Sequence, residues 1–308
     1  MAESILSKKR SSVFKKSPGD IAFYIIDITI FVIFTLICLF PFYYLLINTI
    51  SDNNLVSKGL IILYPKGINI KNYLALKNVS DLGNAFLVTV LRTLIGTALM
   101  VLVSAYAGYL VTKEQMWKRK FCYRFIIITM YFNAGLIPWY LNMLMLGLTN
   151  TFAAYILPGL ISPFNIILVK TYIESIPKDI EESAMLDGAG PMRIFITMIC
   201  PLSTPVLATI AVFGAVANWN SFQDSLVLMQ GTPELFTLQH RLYVYLSSAT
   251  NLEALMRNGT VSAEVQASLT LRIVQYTISM VSILPILCVY PLMQRYFVKG
   301  IMMGAVKG

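Results

Sequence analysis

Five carboxylates crowd positions 174–187: Glu174, Asp179, Glu181, Glu182 and Asp187. Clustered acids can do acid–base work, hold a metal or present a charged face to a partner. The rest of the inventory weakens the first two uses. The chain has a single histidine, His240, and four dispersed cysteines, Cys38, Cys122, Cys200 and Cys288, none in a CxxC pair. No metal-ligand spacing and no disulfide framework can be read from that set. HExxH, DDxxD, GxSxG and GxxxxGK[ST] are all absent, so the residues supply neither a hydrolase nucleophile nor a nucleotide-binding loop.

Docking is the use that the local pattern supports. Pro177 suits the first turn of a short helix, Asp179 is favourable near its start, and Ala184, Met185 and Leu186 give it a small apolar face. Gly188 supplies a turn, and a second helical run opens at Pro191. The expectation is a helix–Gly–helix elbow, acidic and partly apolar. An ordinary amphipathic connector fits the same composition.

A second group of residues is polar but neutral. Asn218, Trp219, Asn220, Ser221 and Gln223 lie together, with Asp224 beside them. Asn133, Trp139, Tyr140 and Asn142 form another set, and Gln275 and Tyr276 a third. Aromatic faces and amide groups are what sugar hydroxyls and rings require. The set Asn133, Trp139, Tyr140, Asn218, Trp219, Asn220, Gln275 and Tyr276 could therefore line a translocation cavity. The same residue types also serve helix–helix hydrogen bonding, and Trp139 and Tyr140 suit an interfacial aromatic belt.

The elements that must carry these residues are set by composition. Of 308 residues, 57% are hydrophobic and only 13% charged, with a mean hydropathy of +0.70. Soluble domains are about half apolar and about a quarter charged, so a soluble enzyme, a disordered chain and a nucleic-acid binder are disfavoured despite the net charge of +9. An all-α, polytopic membrane bundle is expected. Apolar runs long enough to cross a bilayer fall at about 21–50, 85–111, 121–146, 152–173, 204–222 and 271–293. Residues 21–298 form the permeating domain, flanked by tails 1–20 and 299–308.

Six crossings put both termini on one side, and the positive-inside rule chooses it. The N-terminal tail, the loop after the second span, segment 174–203 and the C-terminus together hold fourteen Lys and Arg, against six in segments 51–84 and 223–270. The termini and the elbow are therefore expected in the cytoplasm. Ionisable groups within the spans are few: Asp27, Arg92, Arg124, Lys170 and Arg272. They read as interfacial anchors or interhelical ion pairs. No carboxylate or histidine chain runs through the spans, which disfavours a proton-coupled carrier. Gly and Ala recur in the second and fifth spans, as close helix packing requires.

The elbow carries a resemblance. Glu182-Ser183-Ala184 followed by Asp187-Gly188-Ala189 resembles the E-A-A-x-x-D-G-A loop of ATP-binding-cassette importer permeases, with Ser183 in place of the usual Ala. Gly135-Leu136-Ile137-Pro138, Trp219-Asn220 and the tail from Pro291 through Gly300 to Gly304-Ala305-Val306-Lys307-Gly308 are similar to the carbohydrate branch, which includes the second permease of the maltose importer and the lipoprotein-linked oligosaccharide permeases of Gram-positive bacteria.

The resemblance implies a heterodimer with a sister permease in the bacterial plasma membrane, two cytoplasmic ATPase subunits and an external sugar-binding protein. ATP and Mg would be held by the ATPase, and no cofactor by this chain. Glu182, Ser183, Ala184, Leu186, Asp187, Gly188 and Ala189 would form the coupling helix: Glu182 meets a basic residue of the ATPase, Ala184 and Leu186 pack, and Gly188 bends. Segment 223–270, with Gly231, Pro233, His240, Arg241 and Tyr243, would reach the binding protein. A six-helix secondary carrier and an importer of a non-sugar solute are the rival readings.

Overall fold

The structure is a computed structural model and describes residues 18–76, 82–257, 273–289 and 291. The basic tail 1–17, Arg272 and the Gly-rich tail 292–308 lie outside the described residues, as does part of the expected outer segment. Every regular element among the described residues is helical. Two helices are long and apolar enough to cross a membrane on their own: α1 (Pro18–Thr49) and α4 (Leu82–Thr112). Between them lie the short α2 (Asn53–Ser57) and α3 (Lys71–Leu76). These fold back on the end of α1, where Asn72 Nδ2 donates to the Thr49 carbonyl at 3.0 Å and the Thr49 and Tyr73 hydroxyls meet at 2.8 Å.

The expected third span is divided. It comprises α5 (Arg119–Tyr131) and α6 (Leu136–Met145). Gly135 sits at φ 86°, ψ 178°, a conformation open essentially to glycine alone, and its N–H donates to Asn133 Oδ1 at 2.8 Å. The chain thus leaves helical geometry before Leu136. Pro138 then falls in the first turn of α6, where its missing N–H costs nothing.

The fourth run is also broken. α7 (Ala153–Ile156) and a 3₁₀ turn meet α8 (Pro163–Ile173) at 48°. Ser162 caps α8 by accepting from Asn165 N, and Pro163 occupies its first position.

The elbow follows: α9 (Asp179–Leu186), α10 (Pro191–Ile194), a π-helical turn over Phe195–Ile199 and α11 (Cys200–Leu202). The segment Pro191–Leu202 bends by 79° into α12 (Thr204–Asn220). Each bent pair, taken together, is long and apolar enough for one crossing. Beyond α12 come α13 (Gln223–Leu228), a 3₁₀ turn at Pro233–Leu235 and α14 (Leu238–Arg257), so the expected outer loop is itself largely helical. The last described helix is α15 (Ile273–Val289).

α4 is the centre of the bundle and packs most extensively on α12 and α8. Small residues permit this. A Cβ on Gly108 would come 2.8 Å from Val169 Cγ1, and one on Gly214 would come 2.5 Å from Met100 Cε. α1 is the opposite case. It is apolar on all sides, its large side chains are exposed, and only Ile47, Asn48 and Thr49 at its end are buried. Such a helix requires a hydrocarbon or protein environment around it.

Candidate functional site

The elbow is built as an inner floor and an outer tip. Three carboxylates, Asp179, Glu181 and Glu182, occupy the first turn of α9, where the helix dipole favours them. Ala184 is 2% exposed and lies in a cluster with Tyr109, Val169, Ile173, Ile194 and Ile199. The expectation that Ala184 packs against a partner is corrected: its methyl group faces this chain's own core. Ala189 packs against the same cluster.

Leu186 points the other way and is 89% exposed. Glu182, Ser183, Asp187 and Gly188 are exposed beside it, and Gly188 turns at φ 81° with open space where a Cβ would be. A partner surface would therefore meet Leu186, with Met185 exposed beside it, flanked by acids.

Both arms of the elbow are tied to the end of α4. The Tyr109 hydroxyl donates to the Pro191 carbonyl at 3.1 Å, and its ring lies 5.0 Å from that of Phe195. Lys113 forms an ion pair with Glu181 and sits 4.1 Å over the Tyr109 ring. Glu174 binds Lys170 at 2.8 Å and Arg119 at 3.6 Å, while Arg119 Nε donates to the Val111 carbonyl at 2.7 Å.

The far end of α4 carries a buried polar knot that sequence reasoning did not assemble. Arg92, 3% exposed, forks onto Asp224 of α13, donates to the Ser221 carbonyl at 3.2 Å and lies 4.6 Å over the Tyr155 ring. This is the interhelical ion pair that its position in a span suggested. Ser221 and the Ser225 amide donate to Asp224 Oδ1 at 3.0 and 2.9 Å.

The Tyr155 hydroxyl lies 2.6 Å from the Leu235 carbonyl and 2.9 Å from Ser225 Oγ, which is 2.9 Å from His240 Nδ1 and 3.3 Å from Thr237 N. One assignment satisfies them all. His240 Nδ1–H and Thr237 N–H donate to Ser225, Ser225 donates to Tyr155, and Tyr155 donates to Leu235. Burial, with Arg241 close by, holds the His240 pKa below its ordinary value, outweighing the opposing pull of Asp224.

The residues expected to line a cavity do not converge. Trp139 and Tyr140 pack on a cluster with Met143, Tyr155 and Met229. Asn218 Nδ2 donates to Thr97 Oγ1 at 3.3 Å, and Asn220 Nδ2 donates back to the Val216 carbonyl. Trp219 is buried, with Nε1 donating to the Ser282 carbonyl at 2.9 Å. Gln275 is buried and donates to the Tyr245 carbonyl at 2.8 Å, and Tyr276 sets its ring edge against Tyr44. Asn133 is exposed at the helix break. For Trp219 and Gln275 the structure shows helix packing.

Of the outer residues, Gly231, Pro233 and Tyr243 are exposed, the last stacked on Phe222 at 5.0 Å. Arg241 donates to the Pro233 carbonyl. His240 is 3% exposed, so its expected role as a surface contact is corrected.

Comparison with known proteins is decisive for the family. No family model matches the sequence. The polygalacturonan/rhamnogalacturonan transport system permease protein YtcP of Bacillus subtilis (strain 168) is 30% identical over 277 residues, covering 89% of this chain and 94% of that protein. The chain belongs to the permease subunits of carbohydrate ATP-binding-cassette importers. Protein LplC of the same bacterium is 30% identical over 281 residues, 88% and 90% of the two chains. A solved chain from a bacterial ABC transporter involved in the import of the acidic polysaccharide alginate is 31% identical, with a TM-score of 0.80 over 91% of this permease and 98% of that chain. The permease is thus a bacterial plasma-membrane protein of sugar import, and its relatives are permease rather than catalytic subunits.

Proposed function

We propose that this permease forms half of the translocation pathway of a binding-protein-dependent oligosaccharide importer. It crosses the membrane six times with both termini in the cytoplasm, pairs with a sister permease and docks the 177–193 elbow in a cleft of one of two ATPase subunits. ATP and Mg are bound by those ATPases. The observation that carries the reading is the division of the elbow: Ala184 is sunk in the bundle, while Leu186 stands out among Glu182 and Asp187. A rigidly seated apolar knob with acidic neighbours suits a basic-rimmed apolar cleft.

Closure of the ATPase dimer would displace the elbow, and the bundle would rock between inward-facing and outward-facing states. The exposed edge of the outer segment, Gly231, Pro233 and Tyr243, is where an external sugar-binding protein would make contact. The substrate is an oligosaccharide. Relatives named for polygalacturonan, rhamnogalacturonan and alginate make uronic-acid oligomers the first to try.

The test is co-purification from detergent with wild type, Leu186→Asp and Glu182→Lys, followed by oligosaccharide-stimulated ATP hydrolysis in liposomes. Wild type should bring down a sister permease and an ATPase. Both variants should keep the sister and lose the ATPase. A wild-type chain that purifies alone and moves solute without ATP would instead establish a secondary carrier.

A further inference from the structure

Tyr109 and Lys113 lie one turn apart at the end of α4, and each holds a different arm of the elbow. Tyr109 takes the α10 arm through the Pro191 carbonyl and Phe195, and Lys113 takes the α9 arm through Glu181. The two holders also touch each other, with the Lys113 ammonium over the Tyr109 ring. Lys113 and Glu181 are only 15% and 19% exposed, so water screens them less than the outlying Lys178–Glu114 pair at 83% and 77%. A cavity of about 480 Å³ beside them is lined by Lys113, Arg119, Glu174, Glu181 and Glu182, and of the two bridges there that join the start of α9 to the end of α4, Lys113–Glu181 is the sheltered one and Lys178–Glu114 the exposed one.

We propose that Tyr109 and Lys113 are positioning residues that clamp the elbow to α4, so that displacement of the elbow moves α4 as a rigid rod. Seventeen residues separate Tyr109 from Arg92, about 26 Å of helix. At that distance Arg92 grips α13 through Asp224 and Ser221. α4 thus bears a polar joint near each end, with a Gly-assisted packing surface against α8 and α12 between them. A push on the elbow is passed to α13 and α14 without any bond within the rod having to break. The origin of the push rests on the proposed docking of the elbow; the clamp itself does not.

Lys113→Glu, Glu181→Lys and the double exchange test the clamp in two ways. In the isolated permease in detergent, hydrogen exchange of the amides of 179–186 reports attachment of the elbow without any partner. Loss of a partly buried ion pair should speed exchange about fivefold in each single variant, and the double exchange should return it toward wild type. In the reconstituted importer, oligosaccharide moved per ATP hydrolysed should fall by about the same factor in the single variants and recover in the double. Tyr109→Phe, which deletes only the hydroxyl, should weaken the α10 arm alone. Should a charge reversal prevent folding, Lys113→Met and Glu181→Gln replace it, and there the double variant should exchange no faster than either single, because one bridge is lost only once.

Unchanged exchange in the single variants, a charge-swapped double as impaired as either reversal, or a neutral double whose effects simply add would overturn the clamp. An exchange result that obeys the cycle, with no ATPase bound to wild type, would keep the clamp and remove the docking.

Discussion

Arg92 and His240 show how far single residues could be read in advance. Arg92 within an apolar run announces a partner, because an unpaired guanidinium there is costly. The identity of that partner depends on a fold that returns Asp224 from 132 positions away. Truncating the arginine leaves a mostly buried carboxylate, so Arg92→Ala should destabilise by about 3 kcal/mol. The double variant Arg92→Met with Asp224→Leu should recover most of that loss, as measured by thermal unfolding in detergent. His240 looked like a surface contact because it lies in an outer, polar stretch; in the fold the Phe236 ring lies 4.1 Å from its own and Ser225 meets its Nδ1. Its pKa is lowered in the folded state, so the stability it contributes is complete above the unfolded value of about 6.5 and is lost as pH falls below it. The melting temperature should drop between pH 7 and 5, and His240→Gln should flatten that drop.

At the scale of elements, the apolar runs placed α1, α4 and α12, because length and hydrophobicity are local properties, and the Pro177, Gly188 and Pro191 punctuation placed the elbow. The break at Gly135 and the bends at Ser162 and Ser203 were not legible. Gly, Ser and Pro also occur in unbroken spans, and only packing decides which of them turns the chain. Two of the cavity candidates were misplaced for a related reason: Trp219 and Gln275 have the chemistry of sugar contacts, and the chain uses it between helices. Glycine roles separate by what surrounds them. At Gly108 a methyl group would meet Val169 and the Lys170 backbone, which cannot yield. At Gly214 it would meet the flexible end of Met100. Gly108→Ala should cost about 1–3 kcal/mol through overpacking. Gly214→Ala should be near neutral, since Met100 can turn away and alanine favours the helix by up to about 1 kcal/mol. Parallel unfolding of the two variants distinguishes a steric requirement from a general preference for small residues.

For the whole molecule, the direction of α4 sets what faces which side. Its 31 residues span about 46 Å, more than the roughly 30 Å hydrocarbon core, which is long enough for the proposed crossing to carry its ends to opposite faces of the membrane. One end holds the elbow through Lys113 and Tyr109, and the other holds α13 through Arg92 and α14 through Thr89. Leu186 and Tyr243 are exposed at these two poles. The excess of Lys and Arg in the tails and beside the elbow is what supports the proposed cytoplasmic elbow. Leu186→Cys and Tyr243→Cys, in a background with Cys38, Cys122, Cys200 and Cys288 changed to Ser, should therefore react with a membrane-impermeant maleimide from opposite sides. Intact cells should label position 243 alone, and inside-out vesicles position 186 alone. Labelling of both positions from one side would mean that α4 does not cross. A reversed pattern would put the elbow outside, where no ATP-driven partner could reach it, and the importer could not work as proposed.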